Sequence, residues 1–148
     1  MRRRRSSQKG AAAVEFAIIL PLLLLILFGI IEFSLLMYNK AMITNASREG
    51  ARRGIVFRVN PATGDYNPLS NDEIKTEVTN YLSDHLITLK GTSTHTTTIT
   101  RTGDNLKVQV AYPYNFLIVP PIAKIAASDG GELPGDVTLI SATEMRME

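Results

Sequence analysis

The chain has no cysteine, no tryptophan and only two histidines. The first absence excludes disulfides, thiol nucleophiles and cysteine-ligated metals, so whatever holds the chain together is packing or a neighbour. His85 and His95 show neither metal-ligand spacing nor an HExxH setting; they read as solvated or half-buried histidines of a helix end and a threonine-rich strand. Serine and threonine are plentiful, but none stands in a GxSxG context, and no glycine-rich phosphate loop occurs. A catalytic set is missing, and the chain reads as a non-enzyme. Asp129, Glu132 and Asp136, with glycines between them, offer the oxygen ligands that calcium takes. Their spacing is not that of an EF-hand and an acidic turn needs no ion, so neither metal nor cofactor is assigned. A strong net charge is also lacking: the balance is +2, and its excess sits in Arg2, Arg3, Arg4 and Arg5. So local a charge does not argue for nucleic acid as a partner.

Charge is absent altogether from Phe16 to Ile31 (FAIILPLLLLILFGII), a run bounded by Glu15 and Glu32. As a helix rising about 1.5 Å per residue, Glu15 to Glu32 spans roughly 25 Å, short of the roughly 30 Å hydrocarbon core of a bilayer. At least one of the two glutamates therefore presses on the membrane, where an acidic group at mid-span costs on the order of 3 kcal/mol and is usually functional or paired. The basic residues before Gly10 are a positive-inside signal, which leaves the N-terminus in the cytoplasm and the remainder outside. A cleaved secretory signal would carry its small residues after the apolar run; here Gly10 to Ala13 precede it. Pro21 and Gly29 are positions where such a helix bends.

Past Glu32 the helical period continues. Phe33, Leu36, Met37, Ala41, Thr44 and Arg48 form one apolar stripe that fades into polarity. Arg48, Arg52 and Arg53 suit the helix C-terminus, Glu49 and Arg53 form an i,i+4 pair, and Gly54 is placed to cap. A helix from Ala11 to Arg53 would be roughly 65 Å long. The segment 60–71 (NPATGDYNPLSN) reads as a loop. Ile74, Val78, Tyr81, Leu82 and Leu86 then mark an amphipathic helix, with Ser70 or Asn71 as its cap. Thr94 to Arg101 and Asn105 to Tyr112 read as a hairpin turning at Thr102-Gly103-Asp104, and Asp136 to Met145 as a third strand. Between them, Tyr112 to Pro121 and Ser128 to Gly135 read as irregular, with Ile122 to Ala127 as a short apolar piece. The fold class is α+β: a long N-terminal transmembrane helix continuing as an exported amphipathic helix, then a second helix and a small antiparallel sheet. Residues 1–10 form a basic leader, 11–38 the membrane helix, 39–54 its continuation and 55–148 the exported domain.

Gly10, four small or apolar residues, then Glu15 and Phe16 opening a span after a basic leader resemble the type IV prepilin class. More narrowly, GAAAVEFAIILPLLLLILFGIIEF with YNKAMITNASREGARRG resembles the TadE-like family of minor pilins, or pseudopilins, of tight-adherence (Tad) pilus systems. The likeness covers Lys9 to about Gly54, a third of the chain. It implies a pilin-like fold and a structural or priming role in pilus assembly at the inner membrane. It also implies cutting between Gly10 and Ala11 by a prepilin peptidase, with other pilin subunits, the assembly platform and membrane lipid as partners. Glu15 would pair with the freed N-terminal amine of a neighbouring subunit, beside Phe16. Arg48, Glu49, Gly50, Ala51 and Arg52 are the family's second motif, structural or at an interface. The alternative is an unprocessed single-pass protein whose exported domain binds another envelope protein.

Overall fold

The uncharged run and its polar continuation form one helix, α1 (Arg5–Gly54), which continues through Pro21. Its 50 residues make it roughly 75 Å long, beginning earlier than the sequence pattern predicts. The computed structural model describes residues 5–59, 64–88, 94–117 and 136–147. After α1 come a short hairpin, β1 (Phe57–Val59) with β2 (Tyr66–Pro68), then α2 (Asn71–His85) and three strands, β3 (Thr96–Thr102), β4 (Asn105–Asn115) and β5 (Asp136–Arg146). The last three form an antiparallel sheet in the order β3-β4-β5. This is the expected α+β architecture.

Local chemistry explains most boundaries. Ser70 caps α2: its Oγ accepts from the Glu73 N–H at 3.3 Å and the Glu73 carboxylate accepts from the Ser70 N–H at 2.7 Å, a closed capping box. β3 and β4 turn on Gly103-Asp104, with Thr102 opposite Asn105 and Gly103 at φ 57°. Glycine at the first of two turn residues suits the type II′ geometry that matches strand twist. Leu106, Val108, Val110, Tyr112 and Tyr114 alternate along β4 and are all buried, the period of a half-covered strand. Ile74, Val78 and Leu82 of α2 and Ile43, Ala46 and Ala51 of α1 cover them.

Three expectations need correcting. The segment 60–71 is not wholly a loop, because Tyr66–Pro68 pairs with Phe57–Val59. β4 runs on to Asn115, into the stretch expected to be irregular; residues 118–135, including the apolar piece 122–127, Asp129 and Glu132, lie outside the described residues. Most consequentially, α1 packs by a different face. Phe33, Met37, Ala41 and Arg48 are exposed, with Leu36 and Thr44 half-buried. The buried positions are Glu32, Asn39, Ile43, Ala46, Ser47, Gly50, Ala51 and Gly54. Hydropathy favours the first set, but close approach of helix to sheet requires the small residues of the second.

Gly54 illustrates the reason. It is not a left-handed cap, since the positive φ angles among the described residues belong to Gly64 and Gly103. A Cβ there would come within 2.4 Å of Leu106 Cδ2 and 2.6 Å of Ile74 Cδ1, so glycine serves contact, not reversal. Gly54 meets Leu106, Gly50 lies near Val108, and Glu32 reaches Leu117. Helix and strand thus run side by side in opposite directions, over roughly 33 Å of helix and roughly 36 Å of strand. The folded unit reaches back along α1 to Glu32, within the stretch expected to lie in the membrane.

Candidate assembly surface

The first motif sits on the bare part of α1. Between Val14 and Phe33 almost every large apolar side chain is exposed, and the most apolar 18-residue window, of mean hydropathy 2.9, has none of its residues buried. Gly10, Ala11, Glu15 and Phe16 are exposed in this stretch. A Cβ added at Gly10 would meet nothing within 4 Å, and glycine in a helix interior is about 1 kcal/mol worse than alanine. No contact within this fold requires glycine at position 10, in contrast to Gly50 and Gly54.

The two glutamates that bracket the span have different surroundings. Glu32 is 2% exposed; its carboxylate accepts from the Leu117 N–H and its carbonyl from the Tyr114 hydroxyl at 3.3 Å. Burial, and next the neighbouring Glu32 charge, push the Tyr114 phenol up, which keeps it a donor. Glu15 lies exposed on the bare helix, and none of the described residues hydrogen-bonds or ion-pairs with it. Of the two carboxylates, the folded chain satisfies only Glu32. Sequence reasoning gave Glu32 no partner because Leu117 is remote in the chain.

The second motif divides by face. Gly50 and Ala51 are buried, and a Cβ on Gly50 would stand 2.6 Å from Val78 Cγ2 of α2. Arg48 is exposed. Glu49 holds Arg52 through two bonds of 3.0 and 2.8 Å and Arg53 through one of 2.8 Å, while Arg53 also reaches Glu77 of α2 at 3.1 Å. The Arg52 and Arg53 guanidinium bonds hold the Glu49 carboxyl below its usual range. A depressed carboxylate pKa stabilises the fold at neutral pH and loses that contribution as pH falls below the ordinary value of about 4.3. Glu49→Gln should therefore melt slightly below the parent at pH 7 and converge with it as acid protonates the Glu49 carboxylate, by circular dichroism. The difference at pH 7 should be under about 1 kcal/mol, because the pairs are partly solvated.

Three further anchors lie in the stretch YNKAMITNASREGARRG but were not singled out from the sequence. Asn39 donates to Ile87 O at 2.8 Å and accepts from Ile87 N–H at 3.1 Å. Ser47 Oγ lies 2.8 Å from Thr143 Oγ1 and 3.2 Å from Ser141 Oγ, and Lys40 Nζ donates to Ile140 O. An unpaired buried backbone group costs about 1–3 kcal/mol, so these bonds hold α1 in register on the domain. His85 stacks on Tyr81, ring centroids 4.4 Å apart, and His95 Nε2 lies 3.2 Å from Thr79 Oγ1. The structure gives the two histidines different partners and brings neither into a shared site.

No curated protein and no solved structure matches the chain. A family model described as TadE-like protein does match, which suggests a protein associated with Tad pili, and the single apolar N-terminal helix suggests a single-pass membrane anchor. Over residues 10–52, the helix that carries both motifs, the chain matches the TadE-like protein family.

Proposed function

We propose that the protein is a minor pilin or pseudopilin, a structural or priming subunit of Tad-type pilus assembly. It has no catalytic role, cofactor or metal. Residues 1–10 are a leader that prepilin peptidase removes between Gly10 and Ala11, with the N-terminus cytoplasmic and the sheet domain outside the inner membrane. Its partners are the peptidase, other pilin subunits, the assembly platform and membrane lipid.

The observation that carries this reading is the contrast between the two glutamates. An acidic residue in an apolar span is ordinarily paired or functional; Glu32 is paired within the chain, and Glu15 is left for another molecule. Cleavage after Gly10 would supply that partner, because it creates an amine at Ala11 that can meet the Glu15 carboxylate of a neighbouring copy. It would also remove five basic side chains, Arg2 to Arg5 and Lys9, which anchor an unprocessed helix to the cytoplasmic face. Gly10 makes no contact that explains it, which fits a residue kept for recognition by an enzyme.

Intact-mass measurement of the membrane-extracted protein tests the reading. In cells with prepilin peptidase the chain should begin at Ala11, and Gly10→Val should retain the leader entirely while still inserting. An N-terminus at Met1 in peptidase-positive cells would instead support an unprocessed envelope-binding protein.

A further inference from the structure

We propose that the sheet domain rests directly on the lipid surface with no stalk, through an apolar end formed by Phe33, Leu117 and Val137. The inference rests on α1 being a membrane anchor, and it names lipid as the partner of a surface outside that anchor.

Length is the first argument. The domain covers α1 back to Glu32, so the bare stretch from Ala11 to Ile31 rises roughly 31 Å, about the length that the roughly 30 Å hydrocarbon core takes up. No helix is left to hold the domain away from the headgroups.

The second argument is what occupies that end. Side chains on a helix lean towards its N-terminus, so the Glu32 carboxylate holds the Leu117 N–H at or below the level of Glu32 itself. Phe33 is 63% exposed and Leu117 42%. Tyr114 pairs with Val137, which is 39% exposed, and its ring meets Phe116 edge-on at 5.3 Å. Residues 33–38, 113–117 and 137–139 contain no charged side chain. Tyr38, exposed on α1 at this level, belongs to the residue type that concentrates where lipid meets water.

The third argument is the contrast along the long axis. At the opposite end stand Arg52, Arg53, Arg58, Asp72, Glu73, Asp104 and Arg146, several in ion pairs. Among the described residues, apolar surface at the anchor end and charge at the other is the polarity of a domain seated on a membrane. A soluble partner would not require the apolar patch to coincide with the point where the bare helix begins.

The absence of cysteine makes the test direct. Single variants Leu117→Cys, Val137→Cys, Leu23→Cys and Tyr66→Cys of the full chain are labelled with an environment-sensitive fluorophore. Each is reconstituted into phosphatidylethanolamine–phosphatidylglycerol vesicles containing lipids with a quencher at shallow or deep acyl positions. The labels at Leu117 and Val137 should be quenched by the shallow lipid several-fold more than the label at Tyr66, and the label at Leu23 by the deep one. Quenching at Leu23 with none at Leu117 and Val137 overturns the proposal while leaving the anchor intact. Emission shifted to the blue but unquenched at those positions means a protein covers the patch, and also overturns it. Loss of quenching at Leu23 removes the anchor reading itself.

Discussion

Gly50→Leu is expected to loosen α2 and the sheet from α1, with a loss of about 3 kcal/mol, at the upper end of the range for overpacked sites. The space for a side chain is already filled: Val78 Cγ2 would lie 2.6 Å from a new Cβ, Val108 Cγ1 3.4 Å and Ile74 Cγ2 3.5 Å. Two of the three neighbours are valines, whose branching at Cβ fixes χ1 and leaves few ways to move aside. Gly50→Ala is the informative control. Alanine gains about 1 kcal/mol of helix propensity over glycine but places its Cβ against the same Val78 methyl at 2.6 Å, so it too should destabilise, by less than leucine because the propensity gain offsets part of the loss. Leucine adds volume without further gain in propensity. For a domain of this size about 3 kcal/mol corresponds to a fall in Tm of more than about 10 °C, readable in the circular dichroism melt of the detergent-solubilised protein. A leucine variant that melts within a few degrees of the parent would mean that α1 does not pack on α2 through this face.

That the motif of residues 48–52 is a packing element bears on how much of the structure the sequence discloses. α2 was legible because its signals are local: a capping box closes over four residues and Ile74, Val78 and Leu82 keep the helical period. β4 was legible because its alternation is nearly perfect. The packed face of α1 was not, since it consists of Asn39, Ala46, Ser47, Gly50 and Gly54, residues that carry little hydropathy. Their value lies in smallness and in bonds to Ile87, Ser141 and Thr143, remote in the chain. Ranking by apolarity selected Phe33 and Met37, which are exposed. The β1–β2 hairpin escaped for another reason: each strand has three residues, too few for a period to show against flanking proline, glycine and asparagine. As for the candidate site, Gly10, Ala11, Glu15 and Phe16 were chosen on the prepilin-like pattern they form, while the burial of Glu32 could not be read from sequence, because it depends on a contact between α1 and the chain just past the end of β4.

Glu15→Gln is expected to leave membrane insertion and leader removal unchanged and to reduce the number of assembled pili by more than about 100-fold in association terms. Glutamine is isosteric and keeps an acceptor, so packing of the helix is preserved and the change is one of charge. On the proposed reading the carboxylate meets the Ala11 amine of a neighbouring subunit in a medium of low dielectric, where charge-assisted hydrogen bonds are roughly twice as strong as neutral ones. Removing one partner of a buried pair leaves the other charge uncompensated and costs about 3–5 kcal/mol; at about 1.4 kcal/mol per factor of ten, the lower figure already exceeds 100-fold. Glu32 offers no substitute, because its carboxylate is engaged by the Leu117 N–H inside the folded unit. Counting pili by electron microscopy, with the membrane pool of the variant measured by immunoblot, separates failed assembly from failed insertion. If pili form at parental numbers from a fully processed Glu15→Gln subunit, the ion pair is not what joins the helices, and the exposed glutamate must be explained by the lipid interface alone.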